Sequence, residues 1–270
     1  MAESKLPRFN RVTSASHPAV RLARQLATPH GRRKAGLVLV EGVRAAEAAV
    51  ESGARVSAVL LQEGATGRAA QLARLLADSR VPVHSVPAGI MGRASLVREP
   101  QGIILLCAPP SAGLETALER EFVLVADGIQ DPGNLGSLAR SARAFGAGSL
   151  ITTRGTTEVF GPKALRATAG AWPGLAIWEG ADPRRLAAEL ASREFRILAS
   201  DPAGTREFTE ALWLGRVALV LGSEAHGATD AWKDIGAVRV RIPLDTAVES
   251  LNVAAAAAVL LSEAARQRKR

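Results

Sequence analysis

Three stretches of this sequence set small and polar residues directly after an apolar run. Phe122-Val-Leu-Val-Ala leads into Asp127-Gly-Ile-Gln-Asp-Pro-Gly-Asn134 and on to Arg140. Val217-Ala-Leu-Val-Leu leads into Gly222-Ser-Glu-Ala-His-Gly227. A third run ends at Pro243 and continues as Leu244-Asp-Thr-Ala-Val-Glu-Ser-Leu-Asn252. Such runs predict buried strands, and open α/β sheets bind ligands in the loops at the carboxyl ends of their strands. Gly222 and Gly227 let backbone N–H and C=O groups come close to a ligand, which is how a flat adenine is recognised without charged side chains. Arg140 adds a guanidinium with five donors and no acceptor. Taken singly, each loop is also consistent with an ordinary turn, and Arg140 with one more solvated arginine.

The elements around these residues follow from periodicity. Asn134 is expected to cap a helix running to about Phe145. Leu138, Ala142 and Phe145 share its inner face, and Arg140 points roughly opposite at about 100° per residue. Ser250 is expected to open a last helix at 250–267 whose Asn252-Val-Ala-Ala-Ala-Ala-Ala-Val-Leu-Leu run is apolar nearly all round. Such a helix belongs between layers or in a subunit interface. Strands are predicted at 122–126, 148–152, 174–178, 195–200, 217–221 and 238–242, with further helices at 161–168, 183–193 and about 228–234. Upstream, Leu37–Val40, Val56–Leu61, Val81–Val86 and Gly102–Cys107 read as strands. They alternate with helices beginning at Pro18, Val43 and Gly67. Residues 29–34 read as a basic loop.

The pattern gives an α/β protein of two domains. The first spans 1–107 with a basic arm at 1–15, a Pro/Ala/Ser linker occupies 108–113, and the second spans 114–270. A length of 270 residues and a hydrophobic share of 47% support two cores. The net charge of +8 points to a polyanion, nucleic acid ahead of membrane. The charge is concentrated: residues 1–35 hold Lys5, Arg8, Arg11, Arg21, Arg24, Arg32, Arg33 and Lys34 against Glu3 alone. A single cysteine, Cys107, excludes an internal disulfide and suits a reducing cytoplasm. No membrane helix, signal peptide or metal-ligand spacing is legible, so no metal is expected. GxGxxG in strand–helix context and the Walker sequence are both absent, and no Ser-His-Asp or Cys-His arrangement can be read.

Asn134-Leu-Gly-Ser-Leu-Ala-Arg140, Leu221-Gly-Ser-Glu-Ala-His-Gly227 and Ile242-Pro-Leu-Asp-Thr-Ala-Val-Glu-Ser-Leu-Asn252, in this order, resemble the three motifs of the SpoU, or TrmH, family of RNA ribose 2'-O-methyltransferases. The first half resembles that family's accessory RNA-binding domain. It has the basic start Ser14-Ala-Ser-His-Pro-Ala-Val-Arg-Leu-Ala-Arg-Gln-Leu26, then Gly36–Gly53, then Glu99-Pro-Gln-Gly-Ile-Ile-Leu-Leu106. Ser137 departs from the pattern, where alanine is more usual. The resemblance implies a SPOUT-type α/β domain with a deep trefoil knot, S-adenosylmethionine as cofactor, and a cytoplasmic homodimer whose interface builds the site. By motif position, Gly222, Ile242 and Leu251 would contact the cofactor. Arg140, Asn134, Ser250 and Asn252 would carry or support catalysis, and Glu224 would shape the RNA side. Arg32, Arg33 and Lys34 are expected on phosphates, positioning RNA rather than reading it.

The implied activity is 2'-O-methylation of structured RNA, large-subunit rRNA ahead of tRNA. A non-catalytic RNA-binding or assembly factor on the same fold is the alternative from another class. Arg140 has two possible roles. It is the base that takes the 2'-hydroxyl proton, which requires a desolvated guanidine beside another cation. Otherwise it is a cation that steadies the developing alkoxide and holds the adjacent phosphate.

Overall fold

The computed structural model describes residues 9–110, 113–245 and 247–269. The chain forms two compact units, one of Met1–Pro109 with Phe160–Pro173 and one of Pro110–Val159 with Gly174–Arg270. Phe160–Pro173, which reads in sequence as part of the second half, therefore belongs with the first unit. Ser111 and Ala112 of the expected linker, and residues 1–8 of the expected arm, lie outside the described residues.

The first unit runs Asn10–Arg11 (β1), Pro18–Gln25 (α1), Pro29–Ala35 (α2), Val38–Glu41 (β2), Val43–Glu51 (α3), Arg55–Gln62 (β3), Gly67–Asp78 (α4), Val83–Val86 (β4), Ala88–Ala94 (α5) and Ile103–Ala108 (β5). The sheet order is β1-β4-β3-β5-β2, with β5 antiparallel to both neighbours and the other pairs parallel. One face, with Leu39, Leu60, Ile104 and Leu106, packs on Val20, Ala23 and Leu26 of the α1 segment and Ile90 and Met91 of α5. Cys107 lies buried in β5, and burial pushes its thiol up to about 12, so it is an inert core residue.

Two expectations change here. The end of the basic arm is not a free tail, because Asn10 and Arg11 pair with His84 and Ser85 as an edge strand. Residues 29–34 are a helix rather than a loop. Thr28 accepts from the Gly31 N–H at 3.1 Å, Pro29 occupies the first turn, and Gly36 closes the helix at φ 61°.

The second unit runs Leu114–Leu118 (α6), Phe122–Asp127 (β6), Pro132–Ala144 (α7) and Ser149–Thr153 (β7). Pro162–Ala167 (α8) then lies in the first unit. The chain continues with Ala176–Ala181 (β8), Pro183–Ser192 (α9), Arg196–Ser200 (β9), Arg206–Glu207 (β10), Val217–Gly222 (β11), Asp230–Asp234 (α10), Val238–Arg241 (β12) and Val253–Arg268 (α11). All seven strands are parallel, in the order β10-β12-β9-β11-β6-β7-β8. Burial on both faces explains why β6 and β11 read as unbroken apolar runs. The face with Val123, Val125, Ile197 and Val220 packs on α6, α9 and Trp232 of α10. The other face carries α7 and α11, which pack on each other. The chain thus leaves β12, beyond β9, and returns across the carboxyl edge to α11 beside β11.

The helix starts differ from expectation. Asp131, not Asn134, caps α7, since its Oδ1 accepts from the Asn134 N–H at 2.9 Å and Pro132 fills the first turn. Asn252, not Ser250, caps α11, accepting from the N–H groups of Ala254 at 2.9 Å and Ala255 at 3.4 Å. Both asparagine side chains are thereby defined at helix starts, and Ser250 is left in the preceding loop.

At the carboxyl end of β6 the Asp127 carboxylate is 1% exposed. It accepts from Thr153 Oγ1 at 2.7 Å, from the Thr229 N–H at 2.7 Å and from Trp232 Nε1 at 2.8 Å. One side chain thus joins β6, β7 and the start of α10. Asp127→Ala leaves the Thr229 and Trp232 donors unsatisfied inside the unit and is expected to cost about 3 kcal/mol. Urea unfolding of the full chain measures this, and a midpoint equal to that of the wild type refutes it.

Candidate functional site

The carboxyl ends of β9, β11 and β12 open onto a cavity of about 450 Å³. Its walls are Leu221, Gly222, Ile242, Leu244, Leu251 and Ala256, with Ser200, Asp201, Glu224, His226, Ser250 and Asn252 supplying polar groups. This is within the range of small-molecule and cofactor sites, which are largely apolar with a few convergent polar groups.

The loop after β11 is a tight turn. Ser223 and Gly227 exchange backbone hydrogen bonds of 3.1 and 2.8 Å, and the His226 N–H donates to Ser223 Oγ at 3.2 Å. Gly222 is required by space rather than by its own dihedrals. A Cβ there would lie 2.0 Å from both the Gly227 carbonyl carbon and the Ala228 nitrogen. The turn therefore closes back over the end of its own strand.

Three of the expected residues are hydrogen-bonded to one another. Asn134 Nδ2 donates to Glu224 Oε1, and Asn252 Nδ2 donates to Asn134 Oδ1 at 3.1 Å. Asn252 Oδ1 in turn accepts from the first amides of α11. The chain of bonds runs from a carboxylate through two carboxamides to a helix N-terminus. It fixes which way both amides face. It also sets the Glu224 charge beside the starts of α7 and α11, where helix dipoles favour an anion.

Gly222, Ile242, Ser250 and Leu251 join Glu224 and Asn252 around the cavity. Arg140 is not among the lining residues. It lies six residues beyond Asn134, about 9 Å along α7 at helical rise. It is exposed, and its side chain makes no hydrogen bond or ion pair with any described residue. Arg32 is a correction. It is 8% exposed, and its Nη1 donates to the carbonyls of Leu26 at 2.9 Å and Ala27 at 3.1 Å. This guanidinium closes the end of α1 and is not available to a phosphate. Arg33 and Lys34 are on the exposed side of α2.

The sequence reading missed the loop after β9. Ser200, Asp201 and Pro202 line the cavity, and Asp201 is held by the Ala203 N–H at 2.8 Å and Arg239 Nη1 at 3.1 Å. The signal was present: an apolar strand, Ile197-Leu-Ala, runs into Ser-Asp-Pro. In a chain of net charge +8, the cavity's lining includes two carboxylates, Asp201 and Glu224, and no lysine or arginine. Such a site suits a ligand that carries positive charge.

An all-parallel sheet with a ligand-sized, acidic, half-apolar cavity at its carboxyl edge defines an α/β domain built to hold a nucleoside-type cofactor. The model of the SpoU rRNA methylase family matches residues 121–262, and that of the MRM3-like substrate binding domain matches residues 17–105. The chain belongs to the SpoU rRNA methylase family, and as a member it is an RNA ribose 2'-O-methyltransferase that uses S-adenosylmethionine. It is 30% identical over 267 residues to an uncharacterized tRNA/rRNA methyltransferase of Synechocystis sp., covering 95% of this chain and 93% of that one. It is 28% identical over 273 residues to the 23S rRNA (uridine(2479)-2'-O)-methyltransferase of Streptomyces viridochromogenes, covering 98% and 94%. Among solved structures, the SpoU methyltransferase AviRb from Streptomyces viridochromogenes, in complex with AdoMet, aligns with a TM-score of 0.80 at 27% identity, covering 92% of this chain and 98% of that one.

The cavity fits the cofactor's chemistry, with apolar walls for a flat base and carboxylates for a sulfonium and an ammonium. Gly222→Ala forces the turn at Gly227 outward and is expected to weaken S-adenosylmethionine binding at least tenfold. Isothermal calorimetry checks this, with unchanged affinity as the contrary result.

Proposed function

We propose that this chain methylates a ribose 2'-hydroxyl of large-subunit rRNA in the cytoplasm, acting as a homodimer. The observation that carries the catalytic reading is the bonded set Glu224–Asn134–Asn252 at the cavity rim, with an exposed arginine that has no described partner on the same helix as Asn134. The rRNA reading is supported by relatives named for 23S rRNA, including the guanosine(2553) enzyme of Bacillus subtilis, 27% identical over 94% of this chain.

Gly222, Ile242 and Leu251 are the residues that would hold S-adenosylmethionine, which when bound supplies an activated methyl group. What remains for the protein is positioning and electrostatics. Asn134 and Asn252, locked by their mutual bond, present fixed dipoles at the rim. Ser250, exposed in the loop before α11, offers a hydroxyl at the same cavity. A guanidine base needs a desolvated setting, and in the single chain Arg140 is exposed. We therefore assign Arg140 to the charged role, donating to the oxygen that loses its proton and to the neighbouring phosphate. Glu224 orients Asn134 and borders the RNA side of the cavity. Arg33 and Lys34 remain candidate phosphate contacts.

The dimer is supported by α11. Its nearly all-apolar first half leaves Ala254, Ala255, Ala258 and Val259 partly or fully exposed in the single chain, a face suited to a second copy. The trefoil knot is supported by the return of the chain from β12 across the sheet edge to α11, together with family membership.

With labelled S-adenosylmethionine, incorporation into 23S rRNA at a single 2'-O-methyl position is expected, and incorporation into tRNA alone rules out the rRNA reading. Arg140→Ala is expected to lower kcat by about 100-fold or more with cofactor affinity unchanged. In Arg140→Lys the pH–rate profile should keep its apparent pKa. A shift of that pKa with the new side chain would instead make Arg140 the base.

A further inference from the structure

The first unit contains a second basic feature, separate from α2. Two cavities of about 620 and 740 Å³ meet at Arg44 and Gln101. Arg98 and Arg166 line the first, and Arg68 and Gln62 line the second. Arg44 comes from the first turn of α3, Arg98 from the segment between α5 and β5, and Arg166 from α8. All three are exposed, and none of their side chains makes a hydrogen bond or ion pair with a described residue. Arg68, by contrast, is bridged to Glu47.

The backbone beneath these arginines is held firmly. Glu41 is 7% exposed and takes hydrogen bonds from the Ser95 hydroxyl and from the Leu96 N–H at 3.0 Å, which fixes the Arg98 segment on the end of β2. Gln101 Oε1 accepts from the Val43 N–H at 3.1 Å and fixes the start of α3 next to Arg44. Gly42, at φ 98°, has Gln101 Oε1 only 3.0 Å from where a Cβ would be. Beyond α8, a Cβ on Gly170 would lie 2.6 Å from Ala48 Cβ and 2.7 Å from the Ala45 carbonyl oxygen. That close approach to α3 keeps Arg166 at the cavity. Glu41 and Glu99 also line the first hollow, and with Arg44, Arg98 and Arg166 they leave a net positive charge on this fixed frame, which a polyanion complements. Two contiguous hollows with carboxamides beside the arginines are larger than one phosphate and match a run of backbone phosphates with adjacent sugar or base edges.

We infer that the groove around Arg44, Arg98 and Arg166 is the surface on which the first unit binds the RNA substrate, with the three guanidiniums on phosphodiester groups. The inference rests on the RNA-methyltransferase reading and deepens it. It moves the main contact away from α2, where Arg32 is committed to the end of α1.

The test compares the full-length wild type, the triple variant Arg44→Glu/Arg98→Glu/Arg166→Glu, and a control of equal charge change on exposed arginines elsewhere, Arg74→Glu/Arg184→Glu/Arg185→Glu. A 23S rRNA fragment carrying the mapped methylation site is the probe. Its binding is followed by fluorescence anisotropy from 50 to 200 mM salt, with S-adenosylmethionine affinity and thermal unfolding measured alongside. The groove variant is expected to bind RNA at least 30-fold more weakly and with a salt dependence shallower by about one unit per lost phosphate contact. Its cofactor affinity and melting temperature should be those of the wild type. If the groove variant misfolds, the Arg→Gln triple replaces it with the same expected loss. Equal weakening in the control, or RNA affinity unchanged in the groove variant, overturns the inference. Failure of the parent reading looks different: the wild type itself neither binds nor methylates RNA, and both ideas fall together.

Discussion

The Asp127 carboxylate is the interaction on which the geometry of the second unit's open edge depends. A charge withdrawn from water is tolerated only where donors replace the water, and three do so here. Those donors come from β7, from the backbone at the start of α10 and from the Trp232 indole. The loop that closes at Gly227 is therefore anchored two residues later, at Thr229, to the end of β6. The turn carrying Glu224 and the helix carrying Asn134 leave adjacent paired strands, and this anchor fixes the far end of the turn against the end of β6. A buried carboxylate outside the cavity lining thus helps hold the frame in which Asn134 and Glu224 bond.

From that anchor the site follows by short steps. Asp131 and Pro132 start α7, which leaves the Asn134 side chain free to face outward from the first turn. Asn252 uses its oxygen on the α11 amides and has its Nδ2 to spare, and Asn134 Oδ1 takes it. Each carboxamide has two donors and one acceptor oxygen, so an amide pinned at both ends can face only one way. Rotating either would place an N–H against an N–H. The relay is thus rigid without being buried. Rigidity of this kind suits the catalytic role proposed for this rim, because positioning to within fractions of an ångström carries much of the rate.

Much of this was legible in the sequence. Unbroken apolar runs of five residues gave the central strands β6 and β11, since a parallel sheet covered on both faces leaves no polar alternation to confuse the reading. The three loops that matter were visible as small and polar residues following those runs. What escaped has physical reasons. Asn134 and Ser250 looked like helix caps because their residue types suit caps. Asp131 before proline, and Asn252 before valine, suit them as well, and composition alone does not choose between neighbours two or three residues apart. Arg32 looked like part of a basic cluster, whereas helical spacing turns it inward while Arg33 and Lys34 stay out. Asp127 was passed over because nothing local announces that Thr153, Thr229 and Trp232, 26 to 105 residues away, converge on it. The placement of Phe160–Pro173 in the first unit is of the same kind, since it depends on Gly170 approaching Ala45 and Ala48 from more than a hundred residues away.

The distribution of charge follows from two ligands with opposite demands. RNA is a polyanion and draws on the excess of lysine and arginine over the whole chain. The cofactor carries a sulfonium, an ammonium and one carboxylate and is a net cation, which a site lined with several arginines would disfavour. The cavity accordingly holds Asp201 and Glu224 and, among the described lining residues, no lysine or arginine. Asp201 is partly neutralised by Arg239, whereas the described bond to Glu224 comes from the uncharged Asn134 amide. Glu224 is therefore the group that keeps the cavity negative against the field of the rest. Screening makes this arrangement workable, because at physiological salt a charge is felt over about 8 Å. An acidic hollow can then survive on a basic protein, provided its carboxylates line the hollow and the arginines do not. In the proposed reaction Arg140 is the cation that must come near without entering, and its place on α7, which contributes no residue to the lining, is compatible with that.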